Sequence, residues 1–276
     1  MRRLKYLWSV IGFFCVGLSV LFVITNFHVG PPIVRHWKMS DPNLPSMKIA
    51  VIADLHITGY DDLQLFATLK KQLITEEPDL ILFLGDYVSP APYDFYVGFS
   101  RRTIVDNLEA LSGSTEAFAV LGNHENWDRR DAWVSAFEDR KNLLLLENAT
   151  AHFEINGQMI CVRGMGDFYS DAWAYTPKHE ICGDRIITIT HDPRGLIGES
   201  TNRLETLSFA GHTHCGQVAL PLIGAPFVPT EAPQDMHCGL YKKGFEGLTS
   251  GGIGTSILPI RFGPNTEPGW EIISLN

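Results

Sequence analysis

Short clusters of Asp, Asn and His residues recur along the chain, each of them directly after a short apolar run. They are Asp54-Leu55-His56, Gly85-Asp86, Gly122-Asn123-His124-Glu125, His191-Asp192 and Gly211-His212-Thr213-His214. Carboxylate, amide and imidazole groups are ligands for Zn, Mn or Fe, and no cysteine is obviously among them. A carboxylate such as Asp86 can bridge two cations with its two oxygens. The clusters therefore indicate a metal site.

The spacing within two clusters favours convergence of their side chains. In Asp54-x-His56 and His212-x-His214, alternate residues point the same way if the backbone is extended, so each pair could aim two ligands at one point. A single buried His is more often a satisfied core residue, and a Gly-Asp pair is usually only a turn. Five such clusters, all at the ends of apolar runs, argue against that simpler interpretation.

The apolar runs predict the elements that position these clusters. Buried strands are expected at Lys48–Ala53, Leu80–Leu84, Ala117–Leu121, Arg185–Thr190 and Leu207–Ala210, with helices at Leu63–Thr75 and Thr103–Leu111. A hairpin is expected within Leu143–Val162, and strand-like pieces at Gln217–Leu220 and Glu271–Leu275. Alternating strands and helices predict a layered α/β fold, and ligands of such sheets bind outside the carboxyl ends of the strands. The five clusters would meet there.

The order of the motifs resembles the calcineurin-like metallophosphoesterase superfamily, whose pattern is D-x-H, G-D, G-N-H-[DE], a His and G-H-x-H. All five elements occur between Asp54 and His214. Residues 211–218, 252–256 and 259–262 further resemble membrane-anchored bacterial phosphodiesterases of this superfamily. The resemblance covers nearly the whole chain from Met47. It implies an α/β fold, a four-layer α/β/β/α sandwich, and a metal-dependent phosphodiesterase or pyrophosphatase.

The resemblance also implies roles for individual residues. The first of two divalent metal ions (Mn, Zn or Fe) would be held by Asp54, His56 and His214, and the second by Asn123, His191 and His212, with Asp86 bridging both. His124 would bind no metal and would act beside the leaving group as a general acid or charge stabiliser. A hydroxide bridging the metals would attack phosphorus in line.

Residues next to these motifs are also given expected roles. Asp192 and Glu125 are expected to orient the ligating His rings. Ser89 stands where some relatives carry an Asp, and Cys215, where relatives often have Gly, is expected to pack. Aromatic residues after the bridging Asp could pack in a loop or form a hydrophobic lip for a lipid-like substrate; they are Tyr87, Tyr93, Phe95, Tyr96 and Phe99.

The N-terminus predicts a membrane anchor. Three basic residues precede an uncharged apolar run from Tyr6 to Phe27, and about 20 apolar residues suffice to cross a bilayer. No A-x-A-like site follows, which favours a retained transmembrane helix (residues 1–28) over a cleaved signal peptide. The positive-inside rule places the N-terminus in the cytoplasm and the enzyme domain outside. Residues 29–46, with four prolines, predict a spacer, and residues 47–276 the catalytic domain.

Composition limits the other classes of function. The 276 residues carry a formal net charge of −9 without a basic stripe beyond the first few residues, so no nucleic-acid partner is expected. The five cysteines form no CxxC pair and indicate neither a disulfide framework nor a zinc finger. A Ser-based hydrolase is disfavoured because no G-x-S-x-G motif occurs. A monomer is expected.

The substrate is expected to be a phosphodiester or pyrophosphate in a lipid or cell-envelope precursor, because the anchor holds the site near the bilayer. The resemblance adds UDP-2,3-diacylglucosamine as a candidate. That compound is made on the cytoplasmic side, which conflicts with the predicted topology. The alternatives are a soluble nucleotide or phosphomonoester phosphatase and a non-catalytic metal- or phosphate-binding module.

Overall fold

A computed structural model describes residues 27–28, 30–59, 62–89, 100–172, 186–197, 207–220, 222–242, 245–257 and 259–276, together with Gly12 and Gly17. Its strands are β1 Ile33–Met39, β2 Met47–Ile52, β3 Leu80–Phe83, β4 Glu116–Ala119, β5 Leu143–Leu145, β6 Ala149–Ile155, β7 Gln158–Gly164, β8 Ile186–Ile189, β9 Leu207–Ala210, β10 Gly239–Lys242, β11 Glu246–Thr249 and β12 Gly269–Leu275. Its α-helices are α1 Leu63–Glu76, α2 Arg101–Ser112, α3 Asn123–Trp127 and α4 Arg130–Phe137.

The strands form two six-stranded sheets that share one core. The first sheet has the order β1-β12-β2-β3-β4-β5, and the second β10-β11-β9-β8-β7-β6. Side chains of β2 alternate between two apolar clusters. Ala50 and Ile52 pack with the helices, whereas Ile49 and Val51 pack with residues of the second sheet. Because the central strands are covered on both faces, they are continuous apolar runs in the sequence.

Strand register brings the polar clusters to one edge of each sheet. β2, β3 and β4 run parallel, with Ile52 opposite Phe83 and Phe83 opposite Ala119. In the second sheet β8 and β9 are parallel, with Ile189 opposite Phe209. Neighbouring strands therefore end level with one another, and the residues that follow them lie side by side. The predicted convergence at the carboxyl ends follows from this register.

The helices cover the outer face of the first sheet. Helix α2 begins after Ser100, whose hydroxyl accepts a hydrogen bond from the Thr103 N–H at 3.1 Å, and its buried side chains join the cluster that includes Ile52. On the outer face of the second sheet, the described residues form 3-10 turns rather than α-helices, as at Pro193–Leu196 and Gln234–Met236. A mixed α/β fold of two sheets is thus confirmed, while the fourth, helical layer stays a prediction.

The interpretation of residues 29–46 as a spacer is wrong over Ile33–Met39, which forms β1 at the edge of the first sheet. β1 pairs in parallel with β12 along all seven residues. The main chain of His28 is already bound to the domain, because its N–H donates to the Arg261 carbonyl at 3.0 Å. The folded domain therefore includes Phe27 and His28 and does not begin at Met47.

No helix among the described residues is long and apolar enough to cross a membrane. Of the apolar run from Tyr6 to Phe27, the structure describes only Gly12, Gly17 and Phe27. The cysteine spacing did not indicate a disulfide framework, but Cys215 is bonded to Cys238, 23 residues away. Cys161 is also in a disulfide.

We predict that Trp37→Phe destabilises the domain. The Trp37 indole N–H donates to Glu271 Oε2 at 2.7 Å, and Glu271 is 2 % exposed, so the change leaves a buried carboxylate oxygen without this donor. The expected loss in the free energy of unfolding is about 1–3 kcal/mol, measured by urea denaturation. The neighbouring His36→Ala, on an exposed side chain, should change it by less than about 0.5 kcal/mol. Equal effects of the two changes would contradict this role for β1.

Candidate metal centre

The structure brings all seven predicted ligands and His124 together at the carboxyl edges of the two sheets. None of these eight residues is more than 5 % exposed: Asp54, His56, Asp86, Asn123, His124, His191, His212 and His214. Eight polar side chains buried in one place need partners for their charges and lone pairs. Their contacts divide them into two groups that meet at Asp86.

The first group contains Asp54, His56 and His214. One ligand atom from each lies within 4.8 Å of the others. Nε2 of His56 is 3.0 Å from Nε2 of His214, and the latter is 3.9 Å from Asp54 Oδ1. The three residues that the resemblance assigns to one metal ion are thus neighbours.

The second group surrounds His191. Its Nε2 atom lies 3.1 Å from His212 Nδ1 and 3.1 Å from Asn123 Oδ1. The same nitrogen is 3.3 Å from Asp86 Oδ2. Asn123, which the sequence motif places directly before His124, therefore takes part through its side-chain oxygen.

Asp86 lies between the two groups. Besides its contact with His191, its Oδ2 atom is 3.6 Å from Nε2 of His56 and 3.6 Å from Nε2 of His124. Its other oxygen, Oδ1, accepts a hydrogen bond from the His124 backbone N–H at 3.0 Å. One carboxylate thus contacts a member of each group, which is the position that a bridging ligand requires.

Backbone carbonyls fix which nitrogen of three rings carries a proton. His56 Nδ1 donates to the Val88 carbonyl at 3.2 Å, and His191 Nδ1 donates to the Leu84 carbonyl at 2.7 Å. His212 Nε2 donates to the Pro229 carbonyl at 2.5 Å. In the neutral rings the opposite nitrogens hold lone pairs, and these are the nitrogens that face Asp86 and its neighbours.

The electrostatics of the site fit divalent cations. Burial, with a contribution from Asp86, raises the pKa of Asp54 to about 7, although the charges of His191 and Arg261 oppose this. Burial lowers the pKa values of His56 and His212 to about 3, so these rings are neutral. His212 therefore presents a lone pair on Nδ1, which lies 3.1 Å from Nε2 of His191. A cation bound by this lone pair and by the nearby carboxylates would stabilise the ionised carboxylates.

The carboxylates around His191 favour the charged form of its ring. Burial alone would lower the pKa of His191, but Asp86, Asp54 and Asp167 together raise it well above its usual value. For Asp86, burial would raise the pKa, yet His191 and His124 hold it well below its usual range. These opposite shifts show that Asp86 and His191 favour each other's charged form.

The backbone at the ligands is strained. Five of the seven predicted ligands have positive φ angles in the left-handed region: Asp54 at 54°, His56 at 46°, Asp86 at 50°, His212 at 67° and His214 at 50°. This conformation is uncommon for residues other than glycine and persists only where surrounding contacts impose it. Those contacts are hydrogen bonds between strand ends, such as Asp54 N–H to the Gly85 carbonyl at 3.1 Å.

The extended backbone assumed for Asp54-x-His56 and His212-x-His214 is therefore wrong. Asp54 and His56 still converge, but His212 and His214 diverge, because His212 contacts His191 whereas His214 contacts His56. This division matches the roles implied by the resemblance rather than those implied by simple alternation.

Glu125 holds the backbone of the Asp86 loop and not a His ring. Its carboxylate accepts four backbone N–H groups, from Asp86, Tyr87, Val88 and Gly122, at 2.8–3.2 Å. Burial and the nearby Asp86 raise the pKa of Glu125 to about 8, whereas the four donors favour its ionised form. The expectation that Glu125 orients ligating rings is corrected to a role in fixing the bridging residue.

Asp192 supports the His212 ring indirectly, through Thr230 and Pro229. Its Oδ1 atom accepts from the Thr230 hydroxyl at 2.6 Å and from the Arg194 N–H at 2.9 Å. Thr230 follows Pro229, whose carbonyl receives the His212 ring proton. Asp192 thus acts on the orientation of His212 by holding a loop.

Sequence reasoning missed two contributors to the first group. The guanidinium group of Arg261 is buried, lies 2.9 Å from His214 Nδ1 and donates to the Gly251 carbonyl at 2.9 Å. Gly252 packs against Asp54 so closely that an added Cβ would lie 2.6 Å from the Asp54 Cβ. The lack of space for a Cβ requires a glycine at residue 252, and its φ of 69° also favours one.

A cavity of about 380 Å³ opens over the predicted ligands. Asp86, His124 and His212 are part of its polar end, and the described wall is otherwise mostly apolar, with Trp127, Tyr169, Val218, Pro226, Phe227 and Ile257. The Tyr169 ring is centred 4.7 Å from the His212 ring. None of these wall residues was singled out as a substrate contact by the sequence.

Of the two interpretations of the aromatic residues after Asp86, packing is confirmed for Tyr87, which is 1 % exposed and donates its hydroxyl to the Val120 carbonyl at 2.7 Å. Tyr93, Phe95, Tyr96 and Phe99 lie outside the described residues. Ser89 donates its hydroxyl to the His56 carbonyl at 3.1 Å. Cys215, expected to pack, forms the disulfide.

His124 lies at the junction between ligands and cavity. Its ring is centred 4.7 Å from the His56 ring, and it lines the cavity. Its Nδ1 atom is buried and has no hydrogen-bond partner among the described residues. By distance alone its Nε2 could join His56 and Asp86 around an ion. Its exclusion from the metal ligands stays a prediction.

Comparison with known proteins places this geometry in a family. The sequence model of the calcineurin-like phosphoesterase family matches residues 47–216, more than half of the chain. Phosphodiesterase YaeI of Escherichia coli is 31 % identical over 194 residues, which are 68 % of each chain. A transmembrane protein with metallophosphoesterase domain from Bos taurus is 24 % identical over 252 residues, 82 % of this chain but only 52 % of that protein.

Among solved structures, a 5'-nucleotidase precursor from Thermus thermophilus aligns with 83 % of this chain and 54 % of its own, at 13 % identity and a TM-score of 0.47. The family match and the YaeI relationship decide the assignment. The chain belongs to the calcineurin-like phosphoesterases and is a metal-dependent hydrolase of phosphoric esters.

Proposed function

We propose that this protein hydrolyses a phosphodiester or pyrophosphate bond with two divalent cations, Mn, Zn or Fe, on a lipid or envelope substrate. The observation that carries the proposal is the position of Asp86, whose Oδ2 lies 3.3 Å from His191 and 3.6 Å from His56. The carboxylate is thus in contact with both ligand groups at the polar end of the cavity.

The ligands divide between the two cations as their contacts do. One cation would be held by Asp54, His56 and His214, the other by Asn123, His191 and His212, and both by Asp86. When bound, the cations lower the pKa of water and neutralise charge on the phosphoryl group. The protein contributes fixed ring tautomers, a bridging carboxylate held through Glu125, and burial that excludes bulk water.

His124 holds and delivers a proton to the leaving oxygen. It is buried, it lines the cavity next to Asp86, and its Nδ1 has no partner among the described residues. A positioned imidazole of this kind typically contributes about 10²–10⁴ in rate.

The apolar cavity wall supports an amphiphilic substrate. Trp127, Phe227 and Ile257 line the space above the ligands, where an acyl or isoprenoid chain would be covered. UDP-2,3-diacylglucosamine has the required chemistry of a pyrophosphate joined to acyl chains, but it is made on the cytoplasmic side and is the substrate only if the domain faces the cytoplasm.

The protein is anchored in a membrane by the uncharged run that begins at Tyr6 and ends before Phe27, with the domain outside the cytoplasm. The basic residues before the run and the relative named as a transmembrane protein support this. The disulfide between Cys215 and Cys238 favours an oxidising compartment as well.

Asp86→Asn is expected to abolish most turnover of a soluble diester and to lower the metal content, because the amide has only one oxygen to share between two ions. The measurement is steady-state hydrolysis with metal analysis by mass spectrometry. Asp131→Asn, on a fully exposed side chain, is the matched control and should match wild type. Substantial activity of wild type after thorough chelation would contradict the proposal.

His124→Ala is expected to lower kcat by about 10²–10⁴ while the bound metal stays near the wild-type amount. His212→Ala, which removes a ligand, should lower both. If His124→Ala loses metal as His212→Ala does, His124 is a ligand and its role is misassigned.

Protease added to intact spheroplasts is expected to digest the domain, because the proposed topology places it outside the cytoplasmic membrane. Immunoblotting against the domain gives the readout, and lysed spheroplasts show that the protease can cleave it. Full protection until lysis would place the domain in the cytoplasm.

A further inference from the structure

The most exposed large apolar side chains of the described chain gather near the mouth of the cavity. Leu222 is 108 % exposed, Ile257 83 %, Ile223 72 % and Phe227 69 %. Together with Leu220 we call these residues the apolar rim. Contiguous exposed apolar surface is costly in water and marks a site of interaction.

Backbone contacts hold the apolar rim together. Leu220 and Gly224 exchange hydrogen bonds of 2.8 and 2.9 Å, which close a tight turn with Leu222 and Ile223 at its tip. The Ser256 N–H donates to Gln217 Oε1 at 2.8 Å, so the segment carrying Ile257 is joined to the start of that turn. Phe227 and Ile257 both line the cavity.

The N-terminal apolar run ends on the same face. Phe27 forms a β-bridge with Phe262, which forms another with Val218, two residues before Leu220. Neighbouring strands are about 4.8 Å apart, so Phe27 lies about two strand spacings from the chain that enters the turn. His28 secures this end by donating from Nε2 to the Gly263 carbonyl at 2.7 Å.

The segments that form this face carry no charged residue. Residues 215–230 and 247–260 contain no Asp, Glu, Lys or Arg. A surface that pairs with a protein in a specific way normally carries charges at its edge, whereas insertion below lipid headgroups favours side chains without charge.

We propose that the apolar rim inserts into the lipid bilayer that holds the N-terminal apolar run, so that the cavity opens at the membrane surface. The occupant is the bilayer rather than a second copy of the chain, because the protein's own uncharged run reaches the domain at this face. An amphiphile could then move its phosphate group towards Asp86 while its apolar part stays beside Phe227 and Ile257.

This docking rests on the membrane anchor of the proposed function but not on the proposed hydrolysis, since a phosphodiesterase could equally hold the rim in water. It is therefore tested first without turnover. The full chain carrying Cys15→Ser is reconstituted in phosphatidylcholine–phosphatidylglycerol nanodiscs, and a nitroxide is attached at Leu222→Cys or Ile223→Cys. The parent with Cys15→Ser alone gives the background. The measurement is the relative collision rate of the nitroxide with oxygen and with a water-soluble nickel complex.

Labels on the rim are expected to collide more with oxygen than with nickel, as groups below the headgroups do. The matched control is Ile74→Cys, on an exposed side chain (68 %) near the end of α1 and far from the cavity; its label should favour nickel. Nickel-accessible labels at both rim positions would overturn the proposal. Spin–spin broadening between copies at these positions would also overturn it and identify a second chain as the occupant.

A kinetic comparison separates docking from a structural role. Leu222→Ser combined with Ile223→Ser should leave hydrolysis of a soluble diester unchanged and lower hydrolysis of a diester lipid in vesicles at least about tenfold, the equivalent of 1.4 kcal/mol. Ile74→Ser should change neither rate. Equal rates on both substrates, or an equal loss on both, would contradict docking. If wild type cleaves neither substrate, the proposed function fails while the nitroxide result still decides docking.

Discussion

Buried carboxylates and neutral imidazoles packed around Asp86 require positive charge in their midst, and the remaining features of the site follow from that requirement. Burial raises the pKa of Asp54 to about 7, and the carboxylates raise the pKa of His191 well above its usual value. The fold has removed these side chains from water, and divalent cations would supply the positive charge that they favour.

The two sheets supply the rigid frame for this arrangement. Parallel strands that end level with one another present their following residues at one edge, and short hydrogen bonds between those ends impose the left-handed conformations of the ligands. Glu125 binds four N–H groups around Asp86, and Arg261 holds His214 against a glycine loop. Strain at the ligands is thus balanced by contacts a few residues away.

The sequence predicted the central strands well, and the eight polar residues that it singled out lie together, because both are visible in local patterns. Apolar runs that end in Asp or His are visible without a partner strand. β1 was missed because its pattern mixes polar and apolar residues and its partner, β12, lies more than 200 residues away. Cys215–Cys238 and the cavity wall at Trp127 and Tyr169 were missed because only tertiary contacts bring them together. The hydrogen bonds that Glu125 accepts from the backbone around Asp86 were missed for the same reason.

The most direct test of the metal centre is anomalous diffraction from crystals grown with manganese, recorded near the manganese absorption edge. The account predicts two anomalous peaks that both contact Asp86. One would be surrounded by Asp54, His56 and His214, and the other by Asn123, His191 and His212. A single peak, or a peak coordinated by His124 in place of these residues, would contradict the account.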